Sequence, residues 1–346
     1  MKYPLDWRST TIGDVTLGAN IWNPATQPRV SLNYVDVSAI SRDKLAIESS
    51  TRYVAADAPS RARKVIRYKD TIFATIRPGL RRIAQVPAHL DNEITSTAFC
   101  VIRPNCQVVD PDFLFFAVNT DEVVDAVRSL ETGASYPAVR DNDVFGQIIP
   151  LPPLDEQVRI AGALRTVRAS VLHQMESLWK TQRLKATTMR ELFTRGLRGE
   201  VQKETEIGLL PESWEVLPLT AVCSIRSGGT PPKSDSALWS GTFPWVSGKD
   251  LKVNRLADSV DHITAEAAET YSKITPMGAV LVLVRGMGLA KGFALSLIER
   301  PMAFNQDLKA LVPGERITSA FLMHALTHAG ERMLRNVADG AEGQPC

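Results

Sequence analysis

Eight cations fall within one short stretch: Arg61, Arg63, Lys64, Arg67, Lys69, Arg77, Arg81 and Arg82, against the single acid Asp70. The chemistry open to such a run is recognition of phosphate. A duplex presents closely spaced negative charges, so clustered cations give salt-dependent affinity that is blind to sequence, and an arginine among them can read guanine bidentately in the major groove. Arg77, Arg81 and Arg82 flank the turn signal Pro78-Gly79 and are the better candidates for base contacts. The alternative for the same charges is a solvated basic face.

A second set lies further along. The loop Ser227-Gly228-Gly229-Thr230-Pro231-Pro232-Lys233 offers hydroxyls and backbone N–H groups to a phosphate, with Ser227, Thr230 and Lys233 as its candidates. It lacks the G-x-x-x-x-G-K-[ST] pattern of a nucleotide site. Arg285 opens the glycine-rich turn Arg285-Gly286-Met287-Gly288, with Lys291 beyond it. A plain hairpin is the alternative there.

Enzymatic constellations do not assemble. His324 and His328 have the i, i+4 spacing of a helical zinc pair, but Ala325 stands where the general-base Glu belongs. Asp250-Leu251-Lys252 resembles a nuclease D-x-K without an upstream acid to hold a metal. There is no G-x-S-x-G elbow. The four cysteines, Cys100, Cys106, Cys223 and Cys346, show neither a C-x-x-C pair nor a regular spacing, which argues against a disulfide framework and a zinc site. We therefore expect no catalytic residues, no metal and no cofactor.

These residues need a scaffold, and 346 residues suffice for two domains with separate cores. A formal net charge of +2 means that any nucleic-acid affinity is local. The apolar runs fall far below the roughly 20 residues that span a bilayer, and no secretory signal is visible, so no membrane and a cytoplasmic address are expected.

The segments repeat. Trp7 leading into Thr11–Val15 matches Trp214 leading into Leu217–Val222, and Asp70–Gly79 matches Gly278–Gly286 at an offset of 208. Phe99–Pro104 matches Leu308–Pro313, Phe113–Ala117 matches Phe321–Ala325, and Gly133-Ala134 matches Gly340-Ala341. The shared order predicts two homologous mixed α/β modules.

Between them, Pro150-Leu151-Pro152-Pro153 is a rigid extended stop, with Asp155 placed as a helix N-cap. From there to Arg195 there is no proline, and Ile160, Leu164, Val167, Val171, Met175 and Leu178 recur at steps of three and four. This predicts one amphipathic helix of about 60 Å, ended by Gly196 and Gly199, whose narrow apolar stripe wants a partner helix. The fold class expected is α+β: residues 1–150 form one module, 151–199 the helical spacer, 200–346 the second module.

Pro150 to Ala161 resembles the conserved region that follows a target-recognition domain in the specificity subunits of type I restriction-modification systems. Ile207 to Val216, followed by Ser227-Gly228-Gly229-Thr230-Pro231 and Pro244-Trp245-Val246, resembles the opening of the second such domain. The resemblance implies two recognition domains held apart by two antiparallel helices, each reading half of a bipartite double-stranded DNA target. It also implies that the helices set the unread gap and dock methyltransferase subunits, with restriction subunits joining. The second copy shows no counterpart of Ala138 to Arg195, so the expectation is a chain cut short before its closing strand and helix, with self-association through the unpaired helix open to it. The competing expectation is an interaction or scaffold protein that binds methyltransferase or another half-subunit without productive DNA recognition.

Overall fold

The structure is a computed structural model that describes residues 4, 7–23, 26, 30–286, 289 and 292–341, with the backbone alone from residue 331. It divides into two compact units, Met1–Leu178 and Trp179–Cys346.

In the first, β1 (Arg8–Thr11) precedes β2 (Thr16–Leu17), β3 (Ser31–Val35), the short hairpin β4 (Ile40–Ser41) and β5 (Ala46–Ile47), and β6 (Thr51–Val54). Then come β7 (Ala62–Ile66), β8 (Thr71–Ala74), β9 (Ile83–Gln85), β10 (Glu93–Ser96) and β11 (Phe99–Pro104). Helices α1 (Pro111–Val118), α2 (Asp121–Ser129) and α3 (Asp141–Phe145) follow, and β12 (Ile148–Leu151) closes the unit by pairing antiparallel with β1. One sheet runs β2-β11-β8-β9 and the other β6-β3-β10-β7, in which β3 and β10 are parallel.

Helix α4 (Leu154–Arg195) begins in the first unit and ends in the second. Its start lies one residue before the expected cap: the Pro153 carbonyl accepts from both Glu156 and Gln157 N–H, which places Asp155 and Glu156 inside the first turn, at the positive end of the helix dipole. Gly196 and Gly199 take φ of +63° and +62°, the left-handed stop that glycine makes without strain.

The second unit opens with the hairpin β13 (Gln202–Thr205) and β14 (Gly208–Pro211), then α5 (Leu219–Val222), β15 (Cys223–Ser227), β16 (Phe243–Val246), β17 (Arg255–Leu256) and β18 (Asp261–Ile263). It continues with α6 (Ala265–Tyr271), β19 (Val280–Leu283), β20 (Leu295–Ile298), β21 (Ala303–Phe304), β22 (Leu308–Pro313) and α7 (Ser319–Ala341). Its sheets run β15-β22-β19-β20-β17 and β18-β16-β21, with β16 and β21 parallel.

The strand orders agree over most of both sheets, with β7 of the first unit and β17 of the second having no counterpart. β2-β11-β8-β9 corresponds to β15-β22-β19-β20, and β6-β3-β10 to β18-β16-β21. The ladders also set the register. Ala74 faces Phe99 and Thr71 faces Ile102, as Leu283 faces Leu308 and Val280 faces Leu311. Thr71 therefore corresponds to Val280, one residue beyond the sequence match, and because strand side chains alternate, that single step decides which face each occupies. In the structural register Ile72, Ala74, Phe99 and Val101 share one core, as Leu281, Leu283, Leu308 and Ala310 share its counterpart. The Gly133-Ala134 match behaves differently: Gly133 is in a loop at φ +97°, whereas Gly340 and Ala341 end a helix.

Candidate nucleic-acid interface

β7 and β8 belong to different sheets, so the basic stretch is split as the chain passes from one to the other. Arg61 and Arg67 are exposed. Arg63 folds back to donate to the Ala62 carbonyl at 2.8 Å. Lys64 donates to the Phe99 carbonyl at 2.7 Å and pairs with Asp141 of α3. Lys69 pairs with Asp112 of α1, and Arg81 with Asp121 of α2. Arg82 donates to the Val37 carbonyl at 2.6 Å.

Arg77 is different. It is exposed, sits at φ +49°, and opens the turn Pro78–Leu80 whose far end, Arg81, is also left-handed at φ +51°. A non-glycine residue held there carries strain that its surroundings must sustain. Here the holding contacts are Arg77 N–H to the Pro137 carbonyl at 2.8 Å and the bridge between Ile76 and Ala138. The guanidinium lies 5.7 Å from the ring centre of Tyr136, a side chain 74% exposed. Tyr136 is a residue that charge counting overlooks.

The acids behind this surface are structural. Asp70 is buried and takes Arg103 Nη2 at 2.8 Å and Nε at 3.1 Å. Burial works to raise the Asp112 carboxyl, but hydrogen bonds from Lys69 and Gln85, and the charges of Lys69 and Arg165, outweigh it and hold the group below its ordinary value. Arg165, 3.0 Å from Asp112, belongs to α4, and Arg168 one turn on donates to the Lys44 and Leu45 carbonyls and stacks 4.8 Å over Phe115. Buried Gln157 completes this seam: it accepts from Asp110 N–H at 2.8 Å and donates to the Pro152 carbonyl at 2.8 Å.

The Ala161, Arg165 and Arg168 face of α4 is thus turned onto the first unit. The apolar stripe lies roughly a quarter-turn round the helix. Leu164, Val167, Val171 and Leu178 are exposed, Val167 to 61%, while Ile160 and Met175 are half-buried.

In the second unit the structure gathers several candidates. Ser227 faces Lys309 across the β15–β22 ladder and accepts from its ammonium at 2.5 Å. Thr230 donates to the Gln306 side chain at 2.5 Å, and Arg285 donates to the Gln306 carbonyl at 2.7 Å. Gln306 and Lys309, which carry no motif in the sequence, are the centre of this cluster. Lys233 is exposed on the following loop, and Lys291 lies outside the described residues.

The enzyme-like pairs have structural duties. The Asp250 carboxylate accepts from Ser247 N–H, Ser247 hydroxyl and Val260 N–H, closing a turn. His328 stacks on Phe193 at 5.2 Å. No group of three metal-ligating side chains occurs among the described residues, and no described helix is long and apolar enough to cross a membrane.

A family model described as the type I restriction modification DNA specificity domain matches the chain twice, over residues 46–177 and 211–344. The specificity subunit of the type I restriction enzyme HindI of Haemophilus influenzae is 21% identical over 402 residues, covering 97% of this chain and 85% of that protein. The specificity subunit of EcoR124I/EcoR124II of Escherichia coli is 36% identical over 110 residues, 31% of this chain and 27% of that one, so the match spans about a quarter of that relative's length. Among solved structures, the HsdS subunit from Thermoanaerobacter tengcongensis is 34% identical, with 96% of this chain and 82% of that one covered at a TM-score of 0.49.

Proposed function

The chain belongs to the family of type I restriction-modification DNA specificity domains, and from that premise we propose that each of its two units reads one half of a bipartite double-stranded DNA target, while α4 sets the unread gap and docks methyltransferase subunits. The observation that carries this reading is the duplication. Two units with one strand order and one register each match the DNA specificity model, and a repeated reading head suits a target made of two half-sites. Methylation and cleavage fall to methyltransferase and restriction subunits, and this chain contributes sequence selection without catalysis.

In the first unit the charge offered to phosphates is that of Arg61, Arg67 and Arg77, with Arg63, Lys64, Lys69, Arg81 and Arg82 shaping the same surface. In the second, Ser227, Thr230, Lys233 and Arg285 serve, with Lys291 beyond them. The exposed members of the stripe, Leu164, Val167, Val171 and Leu178, support a protein partner on α4.

Binding of duplexes containing the target, measured by gel shift over a salt series with and without the methyltransferase subunit, tests this. Replacing Arg77, Arg81 and Arg82 together by Ala is expected to weaken binding and to lower the salt slope by about one for each phosphate left without its cation. An unchanged slope removes these residues from the interface. Copurification with methyltransferase but no retention of any duplex favours the second reading, an interaction scaffold built on the α4 stripe.

A further inference from the structure

The turn that Arg77 opens does not need an arginine. The register that matches Ala74 to Leu283 runs on past the strands, since Thr75 N–H donates to the Ala98 carbonyl at 2.8 Å and Val284 N–H to that of Asp307 at 3.0 Å. Two residues further on, the first unit has Arg77 at φ +49° and the second has Gly286 at φ +99°. Glycine takes that half of backbone space at no steric cost, whereas an arginine there is strained. Strain kept where the same fold does without it points to a side chain wanted for its own sake.

The surroundings hold that side chain in one place. Residues 132–138 form a loop closed by reciprocal backbone hydrogen bonds of 3.0 Å between Thr132 and Ala138. The loop turns at Gly133, φ +97°, where a Cβ would sit 3.1 Å from the Tyr136 carbonyl. It is stapled to the Arg77 turn by Arg77 N–H on the Pro137 carbonyl at 2.8 Å and Val139 N–H on the Thr75 carbonyl at 2.9 Å. Tyr136 precedes Pro137, which restricts its backbone to extended conformations. Its ring is thereby set beside the Arg77 guanidinium, whose Nη2 reaches the Ser135 carbonyl at 3.4 Å. Among the described residues no acid pairs with Arg77, whereas Arg81 is taken by Asp121.

We propose that Arg77, its guanidinium steadied by Tyr136, reads a guanine in the half-site met by the first unit, and that the second unit, with Gly286 there, reads its half-site by other means. The inference rests on the DNA-reading function given above and adds to it the base and the residues that meet it. A phosphate asks only for charge, which exposed Arg61 and Arg67 supply without a left-handed backbone or a partner ring. Guanine instead presents O6 and N7 side by side in the major groove, and two parallel N–H groups of a planar guanidinium match them. Lying over an aromatic face leaves the edge N–H groups free while it limits rotation, so less freedom is lost when the two hydrogen bonds form. Arg77 is then the reading residue, and Tyr136 is a positioning residue that acts through it.

The full chain, alone and with the methyltransferase subunit, is used to select duplexes from a random library, and the parent is compared with Arg77→Lys, Tyr136→Ala and Tyr136→Phe. The parent is expected to fix a guanine in one half-site. Arg77→Lys keeps the charge and loses the fork. It is expected to bind a duplex of unrelated sequence as the parent does but to lose about tenfold or more at the selected target, with the preference relaxed at that guanine and the other half-site unchanged. Tyr136→Ala is expected to relax the same position, and Tyr136→Phe, which keeps the ring, to retain it. Replacing that guanine by 7-deazaguanine, which lacks the N7 acceptor, is expected to weaken the parent about fivefold or more and to leave Arg77→Lys unaffected. Equal losses by Arg77→Lys at the target and at the unrelated duplex overturn the proposal, since the contact is then to phosphate. A 7-deazaguanine penalty shared by parent and variant overturns it too. A selected bipartite sequence whose preferences none of the variants alters overturns it while the DNA-reading function stands; selection of no sequence by the parent removes that function and the inference together.

Discussion

The two units share a strand order and a register, yet they are finished by different means. The first buries an ion pair, Asp70 with Arg103, where the second has Ala279 and Val312 at the matching strand positions. The first gathers Lys69, Gln85 and Arg165 on Asp112 and seals its helices under β12; the second places Ala320 at the position of Asp112 and, while it buries Leu322, Met323 and Leu326 against its sheet, leaves Phe321 42% exposed. What persists is the alternation of apolar residues along β8 and β11, and along β19 and β22. Topology in this fold rests on that alternation, and the buried charges are additions to it.

The sharpest way to break the comparison is to make one substitution twice. Phe113→Ala empties a site sealed on every side and is expected to cost the first unit about 3–5 kcal/mol. Phe321→Ala removes a half-exposed ring whose neighbours are Phe193 and Trp214, at 5.4 and 5.7 Å, and is expected to cost about 1 kcal/mol. Hydrogen exchange followed separately in the two units reads each cost where one global melt would blur them. Equal losses would mean that the layers are covered alike.

Much of this is legible in one dimension. The repeat, the amphipathic period of α4 and its glycine stop are local patterns, and they survive folding because neighbouring residues alone decide them. Matching by sequence sets the register one residue off, since Asp70 and Arg77 resemble Gly278 and Arg285 at the turns, whereas the strands are aligned by ladders to residues nearly thirty positions away. The basic stretch fares differently. The acids that claim Lys64, Lys69 and Arg81 lie 77, 43 and 40 residues along the chain, beyond any window in which charge is counted. Tyr136 gives no signal either, because a loop tyrosine carries no charge, and the burial of Gln157 stays hidden, because a glutamine in a first helical turn reads as a surface residue.

The buried ion pair offers the next test. Arg103→Val alone strands the Asp70 carboxylate in the core and is expected to cost roughly 3 kcal/mol or more in denaturant unfolding of the first unit. Asp70→Ala together with Arg103→Val copies the second unit's solution and is expected to recover most of that loss, because two apolar side chains leave no uncompensated charge. A double variant as unstable as the single one would show that the pair is woven into the first unit and that the likeness of the two cores is superficial.

The smallest effect separates strain from recognition. Arg77 at φ +49° stands where the structural register places Gly286, at φ +99°. Arg77→Gly releases a left-handed side chain but loosens the unfolded chain, so the stability of the first unit is expected to stay within about 0.5 kcal/mol of the parent. Arg77→Ala keeps the strained backbone and loses the stacking on Tyr136, and is expected to be less stable by about 1 kcal/mol. Both variants lack the guanidinium, so both are expected to lose DNA affinity equally, measured by anisotropy at fixed salt. If Arg77→Gly binds as tightly as the parent while Arg77→Ala does not, the backbone of the turn is what meets the duplex, and the two units use that turn in the same way.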